Sequence, residues 1–422
     1  MSEARFEPLT VETLGARLAT VAALTERIGP DHAAWSVREV GDGNLNLVFI
    51  VEGANGGAIV KQALPYVRLV GESWPLPLRR SFFEYHALTR QAARDPGRVP
   101  EIYHFDEAQA LIVMEYLTPH VILRRALIEG QRLPRIGRDL GLFAARTLFR
   151  GSDLSMEAPA RKKDLALFAG NIELCDITEN LVFTDPYFAA EMNRHTSPQL
   201  DELVAQLRAD RDLKVEAQHL KRLFTSAAET LLHGDLHTGS VMVTMEDSRV
   251  IDPEFAVYGP MAFDVGMLLA NFWMAYFSQA GHETDGSRDA MRAYLLDVVV
   301  EIWRVFREEF TRLWETERAG ILYPSTLYED QGDPLGARQA LDHMLADIWR
   351  DMLGFAGVEM HRRILGLAHN AEFETIEDPD LRASCERPAL LLGRHLVVNR
   401  RRIAGLEEIH AIARRLNEEA RP

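Results

Sequence analysis

The chain has 422 residues and a formal net charge of −16, with no cluster of lysines and arginines approaching a polybasic tract. Such a surface repels nucleic acid and anionic lipid, so neither is an expected partner. A hydrophobic content of 47% fits an ordinary globular chain of roughly two to three domains, and two cysteines, Cys175 and Cys385, exclude a disulfide framework or a cysteine-rich metal site.

In chain order, Leu14, Leu18, Val21, Leu24 and Ile28 recur at helical spacing. One helix is therefore expected from Val11 to Ile28, capped by Thr10 and ended by Gly29-Pro30. A β-rich block follows. Trp35 to Val40, Leu45 to Val51 and Ala58 to Lys61 read as three strands joined by two glycine-rich turns, Gly41 to Asn44 and Gly53 to Gly57. Arg79 to Ala93 reads as a helix with Phe83, Ala87 and Leu88 on one face, and Glu101 to Phe105 and Leu111 to Tyr116 as two more strands. From about Leu123 long helical patterns take over, with one β exception between Val241 and Ile251. The apolar stretch Met267 to Phe277 is interrupted by Asn271 and is too short to span a bilayer. The N-terminus carries no basic leader or apolar signal core, so a reducing cytoplasm is the expected setting. The expected architecture is α+β in two lobes: a small β-rich lobe, residues 1–116, and a large, mainly helical lobe, residues 117–422. A cleft between two such lobes is where a ligand is expected.

The most informative segment is His233-Gly234-Asp235-Leu236-His237-Thr238-Gly239-Ser240. Gly234 permits a backbone conformation that other residues resist, and Asp235 is presented just beyond it. Seventeen residues after Asp235, past a hairpin, comes Asp252-Pro253-Glu254. One carboxylate can then face an acceptor hydroxyl while Asp252 and Glu254 hold Mg²⁺ on a nucleotide. Phosphoryl transfer needs those parts together with cations for the phosphates. Lys61, at the end of the third strand, is the expected phosphate contact, and Glu84, mid-helix, the partner that aims it. Taken singly, each piece has a plainer reading: a hairpin turn, a solvated edge lysine, a surface glutamate. His233 and His237 are four apart, as in helical zinc sites, but Gly234 and Gly239 argue against a helix there. The order of the pieces is what points to a kinase.

The segments GDGNLNLVF, HGDLHTGS and IDPEFAVYGPMAFDVG resemble the methylthioribose kinases, a branch of the aminoglycoside phosphotransferase and choline kinase group with a protein-kinase-like fold. Gly71 to Leu76, Leu174 to Glu179, Gly354 to Gly357, Arg362-Arg363 and Gly366 to His369 extend the resemblance over most of the chain. It implies an ATP- and Mg²⁺-dependent kinase that phosphorylates 5-(methylthio)ribose on its 1-hydroxyl, in methionine salvage, and a homodimer. It implies that Gly43, Asn44 and Lys61 meet the phosphates and that Glu115, Tyr116 and Leu117 form the connector holding the adenine. Arg362 and Arg363 are implied near the sugar and its developing phosphate, although neighbouring helical residues point about 100° apart and most such pairs are solvated. Aminoglycoside and choline kinases place an asparagine metal ligand five positions after the catalytic aspartate. Here that position is Ser240, which leaves more of the metal-binding task to Glu254. Competing readings are a kinase acting on an aminoglycoside, choline or homoserine, and a non-catalytic nucleotide-binding scaffold.

Overall fold

In the computed structural model, which describes residues 6–41, 45–67, 71–283 and 287–420, Thr10 caps the first helix. Its hydroxyl accepts from Thr13 N, and its own N–H donates to the Thr13 hydroxyl. The expected single helix is two, α1 (Val11–Leu18) and α2 (Ala22–Ile28), because Val21 is extended between them. No breaker residue announces that interruption. Leu14, Leu18, Leu24 and Ile28 nevertheless enter one core, with Trp35, Phe49, Val51, Ala58, Val60, Leu111 and Val113.

The chain divides into two units. The first runs to His120 and includes Asn171–Leu174 and Arg249–Ala256; the second holds the remainder. In the first, β1 (Ser36–Glu39), β2 (Asn46–Gly53), β3 (Gly56–Ala63), β6 (Ile102–Asp106) and β7 (Leu111–Glu115) form an antiparallel sheet in the order β1-β2-β3-β7-β6. A separate hairpin, β4 (Tyr66–Val67) with β5 (Gly71–Pro75), had no clear alternation to announce it. Strand side chains alternate between faces. Ala58 and Val60 point into the core beneath α1 and α2. Lys61 therefore points to the opposite face, where α3 (Arg80–Arg94) packs on the sheet with Phe83, Ala87 and Leu88 buried.

The second unit is mainly helical. Helix Ala262–Ser278 is buried along its whole length and packs on helices Pro334–Leu365 and Pro379–Asn399. Gly266 permits that approach, since a Cβ there would lie 2.5 Å from Met352 O. The apolar stretch Met267 to Phe277 is thus a core helix, and no helix of the described residues is long and apolar enough to cross a membrane. Strand Thr230–Leu231 pairs with Tyr258–Gly259 and leads the chain to Asp235.

Candidate active site

Two groups of ionisable side chains stand out, one in each unit. In the first unit, Lys61 Nζ lies 2.8 Å from Glu84 Oε1 and also contacts Asp252 Oδ1. The plain reading of Lys61 as an edge residue and Glu84 as a surface charge is set aside: they are 9% and 2% exposed. Burial opposes the charge of Lys61, but Asp252, Glu84 and Glu254 outweigh it and hold the ammonium above its ordinary value. Burial pushes Glu84 up; Asp252 and Glu254 reinforce this against the pull of Lys61. Glu254 is raised for the same reasons, with Lys61 and Arg80 opposing. The cluster sets two cations, Lys61 and Arg80, against three carboxylates.

Asp252 reaches this cluster from a left-handed backbone conformation, φ +68°, unusual for a residue with a side chain. Asn171 holds the segment that follows, donating to the main-chain oxygens of Glu254 and Ala256 at 2.9 and 3.0 Å. Asn46 Nδ2 donates to both Glu254 carboxylate oxygens at 3.2–3.3 Å, and Arg80 Nε lies 3.4 Å from Oε2. Arg80 also donates to Leu45 O at 2.7 Å and Asn46 Oδ1 at 3.0 Å, tying Glu254 to the start of β2. Among the described residues, Glu84, Asp252 and Glu254 offer oxygens within 4.8 Å of one another. Hard carboxylate oxygens so grouped suit a small divalent cation such as Mg²⁺.

Gly43 and Asn44 lie outside the described residues. Of the expected connector, Glu115 ends β7 opposite Ala58, and its carboxylate accepts from Glu101 N at 3.1 Å and Arg249 Nη1 at 3.4 Å. Tyr116 accepts a hydrogen bond from Arg38, and Leu117 is buried.

In the second unit, Gly234 has φ +87°, the turn conformation its lack of a side chain allows. Asp264, in the first turn of helix Ala262–Ser278, accepts from the amides of His233 and Gly234 at 2.6 and 3.1 Å. Asp235 then meets the twin arginines: Arg362 Nη1 and Arg363 Nη2 lie 3.1 and 2.9 Å from the same oxygen, Oδ1. Most adjacent arginines are solvated, but here both guanidiniums are buried. Glu359, one turn earlier and fully buried, accepts from Arg362 Nη1 at 3.2 Å and Arg363 Nε at 2.5 Å.

The other oxygen, Asp235 Oδ2, lies 3.2 Å from His237 Nε2. His237 Nδ1 accepts from Gly239 N at 2.9 Å, so the proton of the neutral ring sits on Nε2. Burial, helped by Arg124 and Arg363, pushes His237 down to about 4 against the pull of Asp235. His237 is thus a neutral donor, and His233 Nδ1 accepts from Asp235 N at 3.3 Å. For Asp235, burial opposes ionisation, but His237, Arg363 and Arg362 outweigh it and hold the carboxyl well below its usual range. A further buried layer adjoins, in which Arg124 Nε bonds Glu372 at 3.1 Å and Thr238 at 3.3 Å.

Asn46, Arg80, Asn171, Asp264, His237 and Glu359 were not assigned these contacts from sequence. For Glu359 a signal existed: it stands three and four positions before the two arginines, the spacing at which helical side chains meet. The others are joined by distant parts of the chain, and nothing local marks them.

The phosphotransferase enzyme family matches residues 36–295. A methylthioribose kinase of Escherichia coli is 46% identical over 407 residues, covering 96% of each chain. Methylthioribose kinase 1 of Oryza sativa is 42% identical over 408 residues, covering 96% of this chain and 94% of that one. A solved glucosamine kinase is similar with a TM-score of 0.49 and 14% identity, over 91% of this chain and 83% of that one. The chain is a kinase-type phosphotransferase. Within that class it belongs to the methylthioribose kinase family.

Proposed function

We propose that this chain transfers the γ-phosphoryl group of ATP to the 1-hydroxyl of 5-(methylthio)ribose, giving the 1-phosphate and ADP. The observation that carries the reading is the pairing of Asp235 with Arg362 and Arg363, which keeps one carboxylate ionised beside two guanidiniums. An ionised Asp235 accepts a hydrogen bond from the attacking hydroxyl and orients its oxygen toward phosphorus. Because its charge is so well stabilised it is a weak base, and it takes the proton late, after the bond to the leaving ADP has loosened. The buried cations balance charge on the transferred group. Arg362 Nε, buried and without a hydrogen-bond partner among the described residues, is left to donate to it.

In the first unit, Lys61 is assigned to the α- and β-phosphates and Glu84 to aiming it. Asn44, with Gly43, is assigned to the phosphates and the backbone of Glu115, Tyr116 and Leu117 to the adenine. Asp252 and Glu254 would hold Mg²⁺, which when bound neutralises phosphate charge. Substrate neutrality suits the acidic composition, since a neutral sugar is not repelled by it. The proposal includes the homodimer implied by the resemblance and the cytoplasmic setting expected from the sequence; sedimentation at micromolar concentration tests the former.

The test of the function is ADP release with Mg-ATP and one acceptor at a time: methylthioribose, choline or kanamycin. Release with methylthioribose alone is expected. Release with another acceptor alone, or with none, overturns the reading.

A further inference from the structure

Two adjacent residues on a helix diverge by about 100°, yet Arg362 and Arg363 converge on one atom. They lie in the last turn of helix Pro334–Leu365, where cations are favoured by the helix dipole. That preference brings charge to the helix end but gives no direction to either side chain. The direction comes from Glu359. Its Oε2 takes Nη1 of Arg362 and its Oε1 takes Nε of Arg363, so each guanidinium is gripped by a different oxygen of one carboxylate. Glu359 is itself fixed: it is fully buried, and Asn271 Nδ2 donates to its Oε1 at 3.4 Å while also bonding Met267 O at 2.9 Å.

We propose that Glu359 is a positioning residue which aims both arginines at Oδ1 of Asp235 and so reserves Oδ2, beside His237, for the acceptor hydroxyl. The inference rests on the function proposed above and deepens it. Two charged donors saturate Oδ1. Oδ2 faces only the neutral ring of His237 among the ion-pair partners of Asp235, and it keeps lone pairs for a hydroxyl. Without the negative charge of Glu359, Asp235 would be the one direct ion-pair partner left to the two buried guanidiniums among the described residues, with Glu372 acting on Arg363 from farther away. One of them would then move onto Oδ2, the oxygen the acceptor needs. Glu359 thus acts on the sugar side of the reaction, through the arginines.

The test is a double-mutant cycle of Glu359→Gln and Arg363→Met, with the unmodified chain as control. Glutamine keeps the shape and one acceptor oxygen but loses the charge. Glu359→Gln is expected to lower kcat/KM for methylthioribose by about 10–100-fold, with the dissociation constant for Mg-ATP within twofold of the unmodified chain. In the Arg363→Met background the same change is expected to cost less than threefold, because the one guanidinium left, Arg362, is balanced by Asp235 and has no reason to move onto Oδ2. Equal losses in both backgrounds, or equal losses of sugar turnover and nucleotide affinity, would show a structural role and overturn the proposal. If Glu359→Gln does not fold, the pair replacement Glu359→Met with Arg363→Met removes the uncompensated charge. It must then match Arg363→Met in turnover, and a tenfold further loss contradicts the assignment. Absence of methylthioribose turnover in the unmodified chain tells against the proposed function instead. The cycle is then read on whichever acceptor releases ADP, or on ATP hydrolysis, with the same expected coupling.

Discussion

The hydroxyl of Ser240 donates to the main-chain oxygen of Asp235 across 3.1 Å. Ser240 is 3% exposed, so the bond closes the Asp235 loop from inside. That gives the serine a task of its own at the position where aminoglycoside and choline kinases are expected to carry a metal-binding asparagine. Ser240→Ala would leave the Asp235 carbonyl without this partner, at a cost of about 1–3 kcal/mol. Thermal and denaturant unfolding should show that loss, while the Mg²⁺ concentration for half-maximal activity stays within twofold. A tenfold rise in that concentration would make Ser240 a metal ligand.

Lys61 is the cation that the carboxylates of Glu84 and Asp252 share. Lys61→Met removes one partner of a buried pair, which costs about 3–5 kcal/mol when the remaining charge is uncompensated. Three carboxylates would then face one another with Arg80 as the nearby cation among the described residues. Mg²⁺ should therefore raise the melting temperature of Lys61→Met more than that of the unmodified chain. A smaller or equal rise would mean that metal and lysine do not serve the same carboxylates.

Asp252 and Glu254 are assigned the metal. Asp252→Ala and Glu254→Ala should each weaken Mg-ATP binding at least tenfold by calorimetry, with ATP alone affected much less. Glu254→Ala should also destabilise the fold, since Asn46 and Arg80 lose their shared acceptor. Normal Mg-ATP binding in both variants would sink the assignment.

His361 immediately precedes the twin arginines, and its environment makes the stability of the fold acid-sensitive. Its Nε2–H donates to Leu390 O at 3.0 Å, and Tyr187 lies 3.2 Å from Nδ1 as the donor. Burial, helped by Arg394, pushes His361 down to about 4. The unfolded chain titrates near 6.5, so between about pH 4 and 6.5 it binds the extra proton and the folded chain does not. Stability contributed here is complete above pH 6.5 and falls on acidification toward 4. The stability difference between the unmodified chain and His361→Gln should accordingly shrink as pH falls through that window and level off below about pH 4. A pH-independent difference in urea unfolding would contradict a buried neutral histidine.

Much of this was legible in the sequence because it is written locally. Strand alternation around Val60 sets Lys61 on the opposite face from the core, and the Gly234 turn and the Asp252-Pro253-Glu254 triplet carry their own geometry. What escaped was long-range or local only in hindsight. The break at Val21 has no proline or glycine to signal it. Asn46, Arg80 and Glu254 are 34 to 208 residues apart, so no window contains their contacts. The twin arginines were visible, but adjacency alone predicts divergence; the carboxylate that overrides it sits one turn away and looks like any helical glutamate.

The central claim is that Asp235 holds the acceptor hydroxyl while the nucleotide is held elsewhere. Single-turnover phosphorylation of methylthioribose by Asp235→Asn, with Mg-ATP affinity measured on the same sample, tests it directly. The variant keeps the shape but loses the charge, so the rate should fall by about 10²–10⁴-fold with nucleotide affinity within threefold. Unchanged turnover, or a loss of nucleotide affinity as large as the loss of rate, would contradict the account.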